Sequence, residues 1–378
     1  MRKATSPIRV LVVDDSALMR KLIPQLIAHD PEIEVVATAI DGEFALRKIE
    51  ELKPDVVTLD LEMPRMDGIE VLRTIMRQQP NPLPIVVVSA HTHEGASLTF
   101  KALHMGAFDF IAKPQDVLGD AMDETAHELV AKIKAAAASP AERRRPRPLP
   151  QPPMVRAALP DNARAFTPVP PAKVIAIGIS TGGPNTLEYV LAHLPADFPG
   201  AIVVVQHMPA GFTEAFARRL SEACPLEVRE AKSGDQLSAG RVLIAPGNRH
   251  MRVRRSLQGG LVTLSDEERV NGHRPSVDVL FESVSQEFGA EAIGVLMTGM
   301  GEDGAEGLGR LRRTGAFTIA QDEESCVVFG MPRVAIERGY VSRIVSLESM
   351  AAVLAAHCPP NRPLPQGEAD NERPAGHV

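Results

Sequence analysis

A chain of 378 residues with a formal charge of -7 and a pI near 5.9 is long enough for two or three domains and lacks the basic balance of a protein that neutralises nucleic-acid phosphates. Three scattered cysteines, Cys224, Cys326 and Cys358, suggest no disulfide framework, and no apolar run approaches the roughly 20 residues that cross a bilayer. The first apolar run is cut by Asp14 and Asp15 before a signal-peptide core forms, so a soluble protein of a reducing cytoplasm, without membrane insertion, is expected.

In chain order, β-branched runs at 8–13, 35–39, 56–61, 85–89 and 108–112 alternate with amphipathic helical patterns. Such alternation predicts a parallel sheet with helices on both faces. Residues 139–171 are rich in proline, arginine and alanine, with Arg143-Arg144-Arg145-Pro146-Arg147-Pro148 the densest part. A stretch of this kind buries too little apolar area to offset its ordering entropy and reads as an extended interdomain spacer. The alternation resumes at 174–177, 201–205, 242–245, 292–297 and 316–320, interrupted at 251–256 and 261–265, where Gln258-Gly259-Gly260 predicts a hairpin. The last residues, 359–378, again read as a proline-rich disordered tail. Expected domains are therefore 1–138 and 172–358, both α/β, with no sequence repeat relating them.

Ligands of open parallel sheets bind at the carboxyl ends of the strands, so the residues that close each run carry the chemistry. In the first half these are Asp14 and Asp15, Asp60, Ser89 and Lys113. Three carboxylates converging from adjacent strands make an oxygen-rich site suited to Mg2+, which would screen Asp60 while a phosphoryl group is transferred onto it. Lys113 can pair with the phosphoryl oxygens and the Ser89 hydroxyl can swing to hydrogen-bond them. Each residue alone has a plainer reading, Asp15 as a helix cap or Lys113 as a solvated strand end, but that reading does not explain the whole set. No Gly-x-x-x-x-Gly-Lys-Ser/Thr loop is present, so the phosphoryl group must arrive already activated from another protein.

In the second half, Gly178-Ile179-Ser180-Thr181-Gly182-Gly183-Pro184 follows a strand and precedes a helix, the setting that lifts a serine out of the backbone as a nucleophile. A serine needs a base and a group that orients the base. His207 ends the run 201–205 in Gln206-His207-Met208-Pro209, and Thr298-Gly299-Met300-Gly301-Glu302-Asp303-Gly304 follows the run 292–297. Ser180, His207 and Asp303 thus come from three strand ends. Glu302 competes with Asp303 as orienting group, and His250 and His273 compete with His207 as base, both ranked as pocket-lining candidates. A plainer reading makes Ser180 part of an anion-binding helix start. His91 and His93 do not form the His-Glu-x-x-His spacing of zinc proteases.

The acidic set over about residues 7–130 resembles the receiver domain of two-component response regulators, a flavodoxin-like (βα)5 fold. That resemblance implies Asp60 as phosphoacceptor, Mg2+ held by Asp14, Asp15 and Asp60 with the Glu62 backbone, and Phe108 at the aromatic switch position. The order Ser180, His207, Asp303 departs from the Ser, Asp or Glu, His order of α/β-hydrolases. Together with residues 178–184, Gln206-His207-Met208-Pro209, Arg274-Pro275-Ser276-Val277-Asp278 and residues 298–304, it makes the chain resemble chemotaxis protein-glutamate methylesterases over nearly all of 7–357.

The resemblance implies a doubly wound, mostly parallel catalytic domain with a β-hairpin. It also implies hydrolysis of glutamyl methyl esters on chemoreceptors without a cofactor, and related deamidation of receptor glutamines. Thr181 and Met300 become oxyanion-hole candidates, with Gly182 and His273 lining the pocket. A chemotaxis histidine kinase would be the phosphodonor, with phosphorylation uncovering the catalytic cleft. A DNA-binding output or a scaffold with a dead hydrolase domain are the alternatives; the acidic charge and complete Ser-His-Asp set argue against them.

Overall fold

The computed structural model describes residues 6–78, 82–90, 92–114, 120–140 and 169–359. Most of the expected spacer, 141–168, and the expected tail from 360 onward lie outside the described residues, as does His91. The first half runs β1 (Ile8–Val13), α1 (Met19–Ile27), β2 (Ile33–Ala39), α2 (Gly42–Leu52), β3 (Val56–Asp60), α3 (Gly68–Gln78), β4 (Ile85–Ser89), α4 (His93–His104), β5 (Asp109–Ala112) and α5 (Asp120–Ala138). Its five strands are all parallel in the order β2-β1-β3-β4-β5. Because the chain moves to opposite sides of β1, a crevice opens at the carboxyl ends of β1 and β3, where Asp14, Asp15 and Asp60 emerge.

The second half continues with β6 (Val174–Ile179), α6 (Gly183–Ala192), β7 (Ala201–Gln206), α7 (Phe212–Ala223), β8 (Glu227–Glu230), β9 (Gln236–Leu237) and β10 (Arg241–Ile244). Then come β11 (His250–Ser256), β12 (Gly259–Ser265), α8 (Val277–Glu287), β13 (Ala292–Leu296), α9 (Ala305–Arg313), β14 (Phe317–Gln321), α10 (Met331–Glu337), β15 (Arg343–Val345) and α11 (Leu347–His357). Seven strands pair in parallel in the order β15-β14-β13-β6-β7-β10-β8. Strand order reverses at β6, so the crevice of this sheet lies above β6 and its neighbours β7 and β13.

Three strands, β8, β9 and β15, do not stand out as apolar runs in the sequence. The edge strands β8, Glu-Val-Arg-Glu, and β15, three residues long, are short and charged, which is how open edges avoid further pairing. The predicted hairpin is longer than expected: Ser256 pairs with Gly259, so the turn falls on Leu257-Gln258, and β12 also pairs with β9 to make a three-stranded sheet. At the end of the expected spacer, Val169 is already tied down, exchanging hydrogen bonds with Ser238 Oγ at 2.8 and 2.9 Å.

One apolar cluster runs from Leu11, Val57 and Phe110 in the first half to Ile177, Phe212 and Phe216 in the second. At the boundary Phe100 of α4 stacks on Phe216 of α7 with centroids 5.4 Å apart, and Phe110 of β5 meets Phe212 at 4.8 Å. Polar contacts flank the rings: Asn185 Nδ2 donates to Leu103 O at 2.8 Å, and Arg269 pairs with Glu124 of α5 at 2.9 Å. The three cysteines are buried and unpaired with one another. No described helix is long and apolar enough to cross a membrane.

Phe212→Ala removes the ring that meets Phe110, a type of core truncation that destabilises by about 3–5 kcal/mol. It is expected to lower the melting temperature and to speed hydrogen exchange in both α4 and α7. Unchanged exchange in α4 would show that the ring contact does not hold the halves together.

Candidate active site

Ser180 follows β6 directly, and its backbone N–H donates to Thr298 O at 2.9 Å, which fastens the serine loop to the loop after β13. Two glycines make this fit. Gly182 has φ +75°, a left-handed value that favours glycine, and a Cβ there would meet Val327 at 2.5 Å. Gly299 lies so close that an added Cβ would stand 2.7 Å from Ser180 Cβ. On the other side Ile179 pairs with Gln206, so β6 and β7 end level with one another. The Gln206 Nε2 group donates to the carbonyls of both Ser180, at 3.0 Å, and His207, at 3.1 Å, holding these two loops together.

His207 Nε2 donates to Asp303 Oδ2 at 2.8 Å. With Nε2 carrying that proton, Nδ1 of the neutral ring is a lone-pair acceptor, and Nδ1 is buried with no hydrogen-bond partner. Asp303 is 1% exposed. Its Oδ2 also accepts from the Val277 N–H at 2.6 Å, and its Oδ1 accepts from Ser276 Oγ at 2.8 Å and Asn271 Nδ2 at 3.0 Å. Val277 opens α8, so a helix N-terminus adds favourable potential for the carboxylate. Burial by itself raises the proton affinity of Asp303, yet the hydrogen bond and charge of His207, with the Asn271 and Val277 donors, outweigh it and hold the group well below the usual carboxylate range.

The competing candidates have other places. Glu302 is exposed and pairs with Arg338 at 2.6 Å, so it does not orient an imidazole. His250 is buried; its Nδ1 accepts from the Ser276 N–H at 3.2 Å, which leaves Nε2–H to donate to Glu268 O at 2.9 Å. Both nitrogens are thereby used, one in holding the start of α8 and the other in holding the segment after β12. His273 does reach the site: its ring stacks on His207 with centroids 3.8 Å apart and planes 9° from parallel. Ser276 stands in the sequence motif 274–278, but its role toward Asp303, like the whole of Asn271, carries no sequence signal, because an amide and a hydroxyl in a loop acquire a partner only when the fold brings them to that carboxylate.

In the first half, one carboxylate oxygen from each of Asp14, Asp15 and Asp60 lies within 4.8 Å of the others. Lys113 Nζ stands 3.0 Å from Asp14 Oδ2 and 2.6 Å from Asp60 Oδ2, and the Glu62 N–H donates to Asp60 Oδ1 at 3.2 Å. Burial pushes the Asp60 carboxyl up; Lys113 partly offsets this. Ser89 is buried beside this pocket with its Oγ donating to Gly95 O at 3.2 Å. Phe108 does not hold the expected position. It precedes β5 and packs in the cluster with Val10, Ile23 and Leu129, whereas Phe110 is the ring that touches α4 and the second half. The step of two residues moves the side chain to the opposite side of the sheet because Phe108 lies outside the strand's alternation.

The strand β5 links the two sites across the boundary. Thr181, next to Ser180, lies against Asp109 of β5, whose carboxyl is driven up by burial and drawn back by Lys132, 3.5 Å away, and by the Thr181 side chain. A receiver-type acidic pocket at the carboxyl end of β5, with the other end of that strand against the serine loop of a second α/β domain, defines a response regulator with an enzymatic output.

Residues 10–121 match the response regulator receiver domain family and residues 175–354 the CheB methylesterase family. The chain is 59% identical over 356 residues, 93% of its length and 96% of the relative's, to a protein-glutamate methylesterase/protein-glutamine glutaminase 2 of Koribacter versatilis. It is 48% identical to a protein of that name, without the numeral, from Symbiobacterium thermophilum, over 91% of this chain and 95% of the relative. The solved CheB methylesterase catalytic domain of Thermotoga maritima is 38% identical, covering 49% of this chain and 98% of its own, with a TM-score of 0.48. The chain belongs to the protein-glutamate methylesterase/protein-glutamine glutaminase family. Its output is therefore an enzyme, in place of a DNA-binding module or an inert scaffold.

The His273 stack gives a pH signature. Burial, then the charge of His207, depresses its pKa from 6.5 to about 4. Both states are neutral above 6.5; between 6.5 and about 4 only the unfolded chain takes up the proton, so stability falls with pH, by on the order of 3 kcal/mol in total, and levels off below 4. His273→Phe is expected to flatten this part of the stability profile in chemical denaturation. An unchanged slope between pH 6.5 and 4 would contradict a neutral buried His273.

Proposed function

We propose that Ser180, His207 and Asp303 hydrolyse glutamyl γ-methyl esters on chemoreceptors, under control of phosphorylation at Asp60. The observation that supports this reading is the His207–Asp303 bond: it leaves Nδ1 without a partner on a residue whose backbone is fastened to the serine loop, and the orienting carboxylate is hydrogen-bonded at both oxygens. In the forward step Ser180 Oγ attacks the ester carbonyl while His207 Nδ1 takes the serine proton. Asp303 stabilises the imidazolium that results. Backbone N–H groups of Thr181 and Met300 are the donors proposed for the oxyanion. Collapse returns the proton to departing methanol, leaving an acyl-enzyme. Water, deprotonated by His207, then attacks that ester and restores Ser180 and a glutamate side chain. The same sequence on a glutamine releases ammonia. No cofactor enters this chemistry.

The hard oxygen donors Asp14, Asp15 and Asp60, with the Glu62 backbone, fit Mg2+: Asp14 and Asp60 are buried, Asp15 opens to solvent, and Lys113 alone balances only part of their charge. The ion would supply charge neutralisation as a histidine kinase of the chemotaxis pathway delivers a phosphoryl group to Asp60. Asp60 would be the acceptor and Lys113 the partner of the new phosphate, drawing Lys113 away from Asp14. Ser89 would turn from Gly95 toward it. Movement of β5 and α4 would then loosen the Phe110–Phe212 and Phe100–Phe216 contacts and uncover the serine loop, a link favoured by Thr181 lying against Asp109.

Methanol release from methylated receptor membranes, with and without a small phosphodonor, tests both parts. Ser180→Ala is expected to lower the rate by at least about 10³-fold while Asp60 still accepts phosphate; residual full activity removes Ser180 as nucleophile. Asp60→Asn is expected to keep the basal rate and lose the stimulation by phosphodonor. A fragment beginning at residue 169 should exceed the unphosphorylated whole chain in rate, and equal rates would dismiss the covering role of the receiver.

A further inference from the structure

Four observations converge on His273. Its ring lies face to face on His207 at 3.8 Å. It is carried on a turn closed by the Val270 N–H to His273 O bond at 3.1 Å and the His273 N–H to Val270 O bond at 2.9 Å. That turn is itself fastened to the site, since Asn271 Nδ2 donates to Asp278 Oδ2 at 2.7 Å as well as to Asp303. Burial, the largest influence, keeps the ring uncharged at neutral pH together with the charges of His207 and Arg269, against the pull of Asp303 and of Glu128 of α5.

A single hydrogen bond from Nε2 fixes one atom of the His207 ring but leaves its plane free to tilt. A flat neighbour in van der Waals contact removes that freedom. It also matters that the neighbour carries no charge. When His207 becomes an imidazolium, a neutral aromatic face attracts it, whereas a cation at the same distance would repel it.

We propose that His273 is a positioning residue of the hydrolytic reaction: its neutral ring holds the His207 imidazole in the plane where Nδ1 meets Ser180 and supports the imidazolium formed during proton transfer. This rests on the proposed triad.

The test compares His273→Phe, His273→Ala and His273→Lys in the full chain with excess phosphodonor, measuring methanol release and its pH profile. The phenylalanine keeps the face and should retain kcat within about threefold. The alanine should lower kcat by about tenfold with KM unchanged, the signature of a lost transition-state interaction. The lysine places a cation beside the base and should lower kcat further, with the acid limb of kcat/KM moved to lower pH. Alanine at wild-type kcat, or phenylalanine as impaired as alanine, overturns the proposal. If the alanine variant does not fold, equal kcat in the phenylalanine and lysine variants overturns it instead. His207→Ala is run alongside: activity there dismisses the triad and this proposal with it, while an inactive His207→Ala beside an unimpaired His273→Ala dismisses only the role of His273.

Discussion

The carboxylate of Asp303 is the point on which the catalytic half is organised. An ionised group this deeply buried is stable only if its lone pairs are filled, and the protein fills them with four donors from three places: His207 after β7, Asn271 in the turn, and Ser276 and Val277 at the start of α8. His250, in turn, holds the Ser276 N–H. Removing any one donor leaves part of a buried charge uncompensated, so the loops after β7, β12 and β13 are constrained together. The same arrangement leaves His207 Nδ1 buried without a hydrogen-bond partner.

A second constraint joins the two halves. Phenylalanines from α4 and β5 bury themselves against α7, which belongs to the other sheet, so the receiver and the enzyme share apolar surface. β5 carries at one end Asp109, which faces Thr181, and is followed directly by Lys113, which spans Asp14 and Asp60. A change of charge at Asp60 and the exposure of Ser180 are thus separated by one short strand. This is a compact basis for the proposed regulation, since the strand is common to both sites.

Much of the site was legible because it obeys strand-end logic. Asp14, Asp15, Asp60 and Lys113 each close an apolar run, and parallel pairing at β1, β3 and β5 brings such ends to one crevice. Ser180, His207 and Asp303 follow β6, β7 and β13 for the same reason. The misplaced ring is instructive: Phe108 and Phe110 are both aromatic and two residues apart, and only the start of β5 at Asp109 decides which of them faces the neighbouring domain. His250 and His273 were equally open as candidates, and their separation into a buried prop and a stacked partner depends on turns that have no periodic pattern.

The order of residues alone determined the two α/β units, the acidic set, the glycine-flanked serine and the chemical types available to it, because apolar periodicity and backbone punctuation are local properties. Tertiary structure alone decided which nitrogen of His207 meets Asp303 and which is left without a partner, which loop groups satisfy Asp303, that His273 lies on the imidazole, and that β5 of the receiver rests against Thr181. Those outcomes depend on distances between segments as far apart as residues 109, 181, 207, 273 and 303, set by sheet order and burial across the whole fold.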